Sequence, residues 1–183
     1  MDKIISIRTP LQNDICRKLT AGDRVLLSGE VFTGRDVAHR RLFDALDKGD
    51  RLPVDLEDMI MFYAAPTPAR PGRIIGSIGP TTSSRMDPYT PLLLKAGLKG
   101  MIGKGRRSEE VRQAIIKYRA VYFGAPGGVA ALMSTCIKKA ELAAYPDLGP
   151  EAIMRLTVVD MPLFVINDVH GRDFYEDRGI KAK

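Results

Sequence analysis

Residues 99–128 read KGMIGKGRRSEEVRQAIIKYRAVYFGAPGG, and this stretch decides the fold class. Lys99–Ile102 is a short apolar run that ends in glycine, as a buried strand does. Ser108 with two glutamates behind it makes a capped start for a helix over Ser108–Tyr118. Ala120–Phe123 is a second apolar run, and Gly124-Ala125-Pro126-Gly127-Gly128 turns the chain again. Strand, helix, strand in this order is a parallel unit with a crossover helix.

Working outward, the same alternation covers residues 74–134. Ile74–Ile78 reads as a strand, a helix runs from Thr81–Ser84 to about Lys95, and a small-residue helix opens at Pro126 and runs to about Met133. Both ends of the chain look different. Ile4–Ile7, Arg24–Phe32 with a bulge at Gly29, and Met59–Ala65 are strands, with helices over Leu11–Leu19 and Arg35–Lys48. Lys138–Ala144, Ile153–Val159 and Leu163–Asp168 are strands with no helix between them, which implies antiparallel or barrel-like pairing. The expected class is α/β with a mixed sheet in one compact domain over residues 1–183.

The 183 residues are 45% apolar and 27% charged, which excludes intrinsic disorder. Cys16 and Cys136 stand far apart in no motif, so neither a disulfide scaffold nor a self-contained zinc or iron–sulfur site is expected. No apolar run approaches the roughly 20 residues of a membrane span, and Met1–Ser6 lacks a signal-peptide core. The expectation is a soluble, reduced, cytoplasmic protein with no membrane partner.

The formal net charge is +6. Residues 95–119 hold eight basic residues against Glu109 and Glu110, so this window carries the whole excess. A positive excess favours an anionic partner without saying which. The plain alternative is a solvated helix face and a basic loop.

Four segments look unlike scaffold. Thr33-Gly34-Arg35-Asp36-Val37-Ala38-His39-Arg40-Arg41 joins a strand to a helix, where α/β proteins place ligands. Arg35 sits at a helix start that would favour an acid, so it binds an anion or pairs with Asp36. His39 is either a base or a packed, hydrogen-bonded residue. Gly79-Pro80-Thr81-Thr82-Ser83-Ser84-Arg85-Met86-Asp87 places four hydroxyls at a helix N-terminus, an anion site whose Arg85 can clamp a carboxylate. The plain reading there is a redundant cap with a surface arginine. Gly103-Lys104-Gly105 frees a lysine from regular structure, and it matches neither a Walker motif nor a dinucleotide fingerprint. Gly124–Gly128 reads best as a plain turn. Arg35, Thr81, Arg85 and Lys104 together suit a small polyanion with a hydroxyl beside it.

At these residues the chain resembles a known family. GRDVAHRR at 34–41, GPTTSSRM at 79–86, GKG at 103–105 and GAPGG at 124–128 are similar to the β subunit, or C-terminal part, of the iron–sulfur-dependent class I fumarases. The β subunit of L-tartrate dehydratase is closely similar. The resemblance covers roughly residues 5–175 and implies a swivelling β/β/α fold. It implies a hydro-lyase that dehydrates (S)-malate to fumarate, with a [4Fe–4S] cluster held by cysteines of a partner α subunit. It places the substrate-carboxylate residues on Arg35, Arg85 and Lys104 and the proposed base on Thr81, with Asp36, His39 and Thr82 in support and no metal ligand in this chain. Thr81 is a demanding base unless neighbouring cations stabilise its alkoxide, and the alternative is that it only binds a carboxylate. Arg106-Arg107 lies outside the pattern, and the residues after Gly105 are expected at the surface or at a subunit contact.

Two other readings remain at this point. One is tartrate as substrate, against which Met86-Asp87-Pro88-Tyr89-Thr90-Pro91 favours fumarate. The other is a non-enzymatic anion- or nucleic-acid-binding module, which the low aromatic content and the lack of an RNA-recognition motif disfavour. No nucleic-acid partner is expected.

Overall fold

The computed structural model describes residues 4–125, 130–177 and 179. Seven strands form one mixed sheet. β1 (Ile4–Arg8) pairs in parallel with β2 (Arg24–Thr33). β2, β3 (Ile60–Phe62), β4 (Gly100–Gly103) and β5 (Val121–Gly124) follow as parallel neighbours. β7 (Ile153–Asn167) runs antiparallel to β5, to β2 and to β6 (Ile137–Ala144). Because β7 pairs with both β5 and β2, the strands β2-β3-β4-β5-β7 close on themselves. The barrel-like pairing expected at the chain ends is therefore present.

Alternation along the parallel strands divides the core in two. Ile60, Phe62, Ile102, Val121 and Phe123 join the cluster that includes Leu27, Leu156 and Val165. Met61, Tyr63, Met101 and Tyr122 point the other way. They pack under α2 (Asp36–Asp47), α3 (Thr90–Lys95) and α4 (Glu109–Tyr118), beside Leu42, Leu94 and Ile115. Both faces are buried, which is why these strands read as continuous apolar runs. The remaining helices are short: α1 (Asn13–Lys18), α5 (Ala130–Cys136) and α6 (Phe174–Asp177). Among the described residues, no helix is long and apolar enough to cross a membrane.

Local signals held in several places. Ser108 caps α4 by accepting a hydrogen bond from the Val111 N–H at 3.3 Å. Gly29, at φ +113°, lies at a register shift between β2 and β7. A Cβ there would meet Thr9 Oγ1, so only glycine fits the bulge.

Three expectations are corrected. Ile74–Ile78 is not a strand but part of a loop closed by Thr67 N–H donating to the Ser77 carbonyl. The helix expected over Thr81–Lys95 is a single 3-10 turn, Ser83–Met86, followed by α3. Pro88 has no N–H to give the Ser84 carbonyl, so Asp87 N–H takes it and the turn ends. Pro91 then stands in the first turn of α3, where a missing N–H costs nothing. The two strands expected over 153–168 are one, running through Asp160 at φ 50° and Pro162. The helix start expected at Pro126 lies outside the described residues.

Candidate functional site

The parallel strands all end on one side, and the singled-out residues gather there. Arg35 follows β2, Lys104 follows β4, and Ala125 follows β5. Thr81 arrives less directly. The chain leaves β3 at Ala64, makes the Pro-rich excursion, and returns so that Thr82 pairs in parallel with Lys104. Thr81 N–H donates to the Tyr63 carbonyl at 2.6 Å, Lys104 N–H to the Thr81 carbonyl at 3.3 Å, and Ser83 N–H to the Lys104 carbonyl at 2.9 Å. Residues 81–83 thus occupy the place β3 would take beside β4 if it continued. The carboxyl ends of parallel strands are where α/β proteins, with open sheets and with closed barrels, hold ligands.

Asp36 ties the two arginines together. Arg85 donates to it twice, Nε to Oδ1 and Nη2 to Oδ2, both at 2.8 Å. Arg35 Nε lies 3.8 Å from the same carboxylate, and its Nη2 lies 3.6 Å from Glu151 Oε1. Those two distances are ion pairs without hydrogen bonds. Arg35 Nε and Glu151 Oε2 are buried and make no hydrogen bond. Glu151 was not singled out in the sequence, where it stands 116 positions from Arg35 with no local mark.

His39 is a brace. It is fully buried, with its ring edge-on to Tyr63 at 4.9 Å. Nδ1 lies 2.9 Å from the Arg35 carbonyl, which can only accept, so Nδ1 carries the proton and Nε2 stays bare. Burial pushes its pKa down to about 4. Of the two readings offered by the sequence, the packed, hydrogen-bonded one is what the geometry shows. In that role His39 fixes the carbonyl of Arg35.

The four hydroxyls divide. Ser83 is buried, and its Oγ lies 2.9 Å from the Tyr122 hydroxyl, which lies 2.9 Å from the Gly105 carbonyl. A Cβ on Gly103 would sit 1.8 Å from Ser83 Oγ, so glycine is required for this approach. Thr82 precedes the turn without capping it. The α-helical N-terminus expected here as an anion site is therefore absent, and what remains is a backbone turn carrying Thr81 and Arg85. Thr81 is half-buried and Lys104 exposed. Beside Lys104 lies a largely apolar cavity of about 200 Å³, lined by Ala125, Phe164, Ile166 and Tyr175 among others.

The basic run over 95–119 is not a uniform surface strip. Lys99 Nζ donates to the Tyr118 carbonyl, and Arg112 is tied to Glu176 and Glu109. Arg107 is a correction: it was expected at the surface or at a subunit contact, and its side chain is fully buried. Its Nε donates to Asp87 Oδ1 at 2.7 Å and its Nη2 to Thr90 Oγ1 at 2.8 Å. The rings of Tyr63 and Tyr122 lie 5.3 and 4.9 Å from it. Burial works against the charge, but Tyr63, Asp87 and Tyr122 more than offset that and hold the pKa above its ordinary value.

The residues present do not fit an iron–sulfur cluster. Cys16 is buried in the core, where desolvation pushes its thiol up to about 12. Cys136 ends α5 and donates to the Leu132 carbonyl. Among the described residues no three His, Cys, Asp or Glu side chains form a metal-binding group. Gly124 and Ala125 border the cavity, while 126–129 of the GAPGG turn lie outside the described residues.

A family model described as Fumarase C-terminus matches residues 1–178. The chain is 41% identical over 155 residues to "Fumarate hydratase class I, anaerobic" of Escherichia coli, covering 84% of this chain and 28% of that protein. It is 36% identical over 167 residues to "Putative L(+)-tartrate dehydratase subunit beta" of Methanocaldococcus jannaschii, covering 88% and 86% of the two. It is 32% identical over 180 residues to "Putative fumarate hydratase class I" of Geobacillus stearothermophilus, covering 96% of this chain and 34% of that one. The chain thus spans about a third or less of the fumarate hydratases it matches and most of the length of the tartrate dehydratase subunit. With the family model covering nearly its whole length, the chain belongs to the Fumarase C-terminus family.

Proposed function

We propose that this chain is the β subunit of an iron–sulfur hydro-lyase that interconverts (S)-malate and fumarate, and that it works with a cluster-bearing α subunit. The observation that carries this reading is the meeting of Arg35 and Arg85 on one carboxylate, Asp36, with Arg85 on the turn that follows Thr81 and Thr82 paired with Lys104. The site already organises two guanidinium groups around a carboxylate, and a dicarboxylate substrate brings two more. In this reading the [4Fe–4S] cluster is carried by the partner, and among the described residues no group of His, Cys, Asp or Glu could hold a metal. The two free thiols of this chain suit a reducing, cytoplasmic setting.

The dehydration removes a proton from the methylene carbon of malate and hydroxide from the neighbouring carbon, which leave as water. This chain acts on the proton and on both carboxylates. Asp36 occupies the Nε/Nη2 edge of Arg85, which leaves the Nη1/Nη2 edge to receive a substrate carboxylate. Arg35 and the exposed Lys104 hold the other end. When the proton departs, charge builds on the adjacent carboxylate, and fixed cations stabilise it without reorganising. In this reading Thr81 takes the proton, and Lys104, whose backbone N–H donates to the Thr81 carbonyl, is the cation that would stabilise an alkoxide.

The tartrate reading is favoured by one observation, the match to nearly the whole of a separate tartrate dehydratase subunit. The two readings share this chain's chemistry and differ in substrate. The test of the Thr81 role is Thr81→Ala in the assembled enzyme. A loss in kcat of about 10²–10⁴-fold with assembly intact is expected for an acid–base residue. Near-normal kcat would remove Thr81 from the proton transfer.

A further inference from the structure

Resting on the site read above, we infer that Arg107 is a positioning residue: it locks the turn that carries Thr81 and Arg85 against the loop that carries Lys104, without touching substrate.

Arg107 lies three residues after Lys104, on the loop between β4 and α4. Its partners belong to the other segment. Asp87 and Thr90 directly follow the Ser83–Met86 turn, and Asp87 uses its second oxygen to accept the Ser108 N–H at 2.7 Å. One carboxylate thus joins the end of the Thr81–Arg85 segment to both Arg107 and the start of α4. The two rings complete the lock. Tyr63 gives its carbonyl to Thr81 and its N–H to Ile102, while Tyr122 holds Gly105 and lies against Ser83. Each segment that presents Thr81, Arg85 or Lys104 therefore touches Arg107 or a group that Arg107 touches.

Stability alone does not call for this arrangement. A buried ion pair loses much of its Coulomb gain to desolvation, and well-packed apolar residues of similar volume often do as well. Arg107 also spends one nitrogen weakly, with Nη1 3.5 Å from the Tyr63 hydroxyl and 3.4 Å from Met101 Sδ. What the guanidinium supplies and an apolar side chain does not is direction: a planar fork fixed at once to an aspartate, a threonine and two ring faces. Catalysis is sensitive to such placement, and an error of about 1 Å in a reacting group can cost about 10²-fold.

The test is Arg107→Lys and Asp87→Asn, each alone and both together, in the complex with the cluster-bearing subunit. Lysine keeps the charge but not the fork. The expected result is a kcat at least about tenfold lower, with KM changing much less and complex assembly retained. The double variant should be no worse than the poorer single one, because both break the same link. Unchanged kcat per assembled complex overturns the inference. Amide hydrogen exchange on the same chain gives a readout independent of turnover. Faster exchange confined to the Thr81, Ser83 and Lys104 amides supports the lock. Unchanged exchange there, or equal loss across the β2–β7 amides, overturns it. If the wild-type complex turns over no dicarboxylate, the proposed function fails, and the exchange result still decides the role of Arg107.

Discussion

Two arginine–aspartate pairs stand within a few residues of each other and do different work. Arg85 and Asp36 meet at the surface, with 51% and 29% of their side chains exposed. Arg107 and Asp87 meet in the interior, at 0% and 11%. The first pair is open to solvent, and Asp36 takes only the Nε/Nη2 edge of Arg85, so the guanidinium can be shared with a ligand. The second has its guanidinium enclosed by two tyrosines and can only be shared with the fold. In the proposed function one pair meets the anion and the other sets the geometry in which it is met.

The largest effect that can break this contrast concerns the buried pair. Asp87→Ala leaves the Arg107 charge buried with no carboxylate, which costs about 3–5 kcal/mol. Urea unfolding should show that loss, and a loss below about 1 kcal/mol would mean that Arg107 finds water or another partner. The surface pair should behave oppositely. Asp36→Asn should change stability by about 1 kcal/mol or less, as exposed ion pairs do. It should nevertheless lower kcat/KM about tenfold by freeing Arg85 to wander. A raised kcat/KM would show instead that Asp36 competes with the substrate for Arg85.

The contrast also marks what the sequence made legible. The strand–helix–strand unit over 99–124 was readable because its signals are local: an apolar run, the Ser108 cap and a second apolar run. Arg35, Thr81, Arg85 and Lys104 were readable as residues after strands or at helix starts, and all four lie at one end of the sheet. Arg107 was not, because its burial is set by Tyr63, Asp87 and Tyr122, residues from three separate segments. Glu151 was hidden for the same reason. Ile74–Ile78 carries a strand-like pattern, but residues 81–83 take the vacant place beside β4 and leave it no neighbour in the sheet. The helix expected from Thr81 overlooked Pro88 and Pro91.

A third effect lies in the pH dependence. His39 is neutral down to about pH 4 in the folded chain and to about 6.5 when unfolded. Between those values the unfolded state binds the extra proton, so the stability present above pH 6.5 declines as pH falls toward 4 and then levels. Comparing the acid limb of unfolding free energy with that of His39→Phe isolates this contribution. Parallel limbs would show that His39 titrates freely and is not buried as the geometry indicates.

In the proposed function Arg35 and Arg85 receive a dicarboxylate in a site completed by another subunit. Anaerobic co-expression with a cluster-bearing α subunit, followed by assays with malate, fumarate and tartrate, tests it most directly. Turnover of malate and fumarate is expected from the complex and from neither chain alone, with kcat/KM about 10²-fold or more lower in Arg85→Ala. A cluster-loaded complex that turns over none of these acids, or one indifferent to Arg85→Ala, would contradict it.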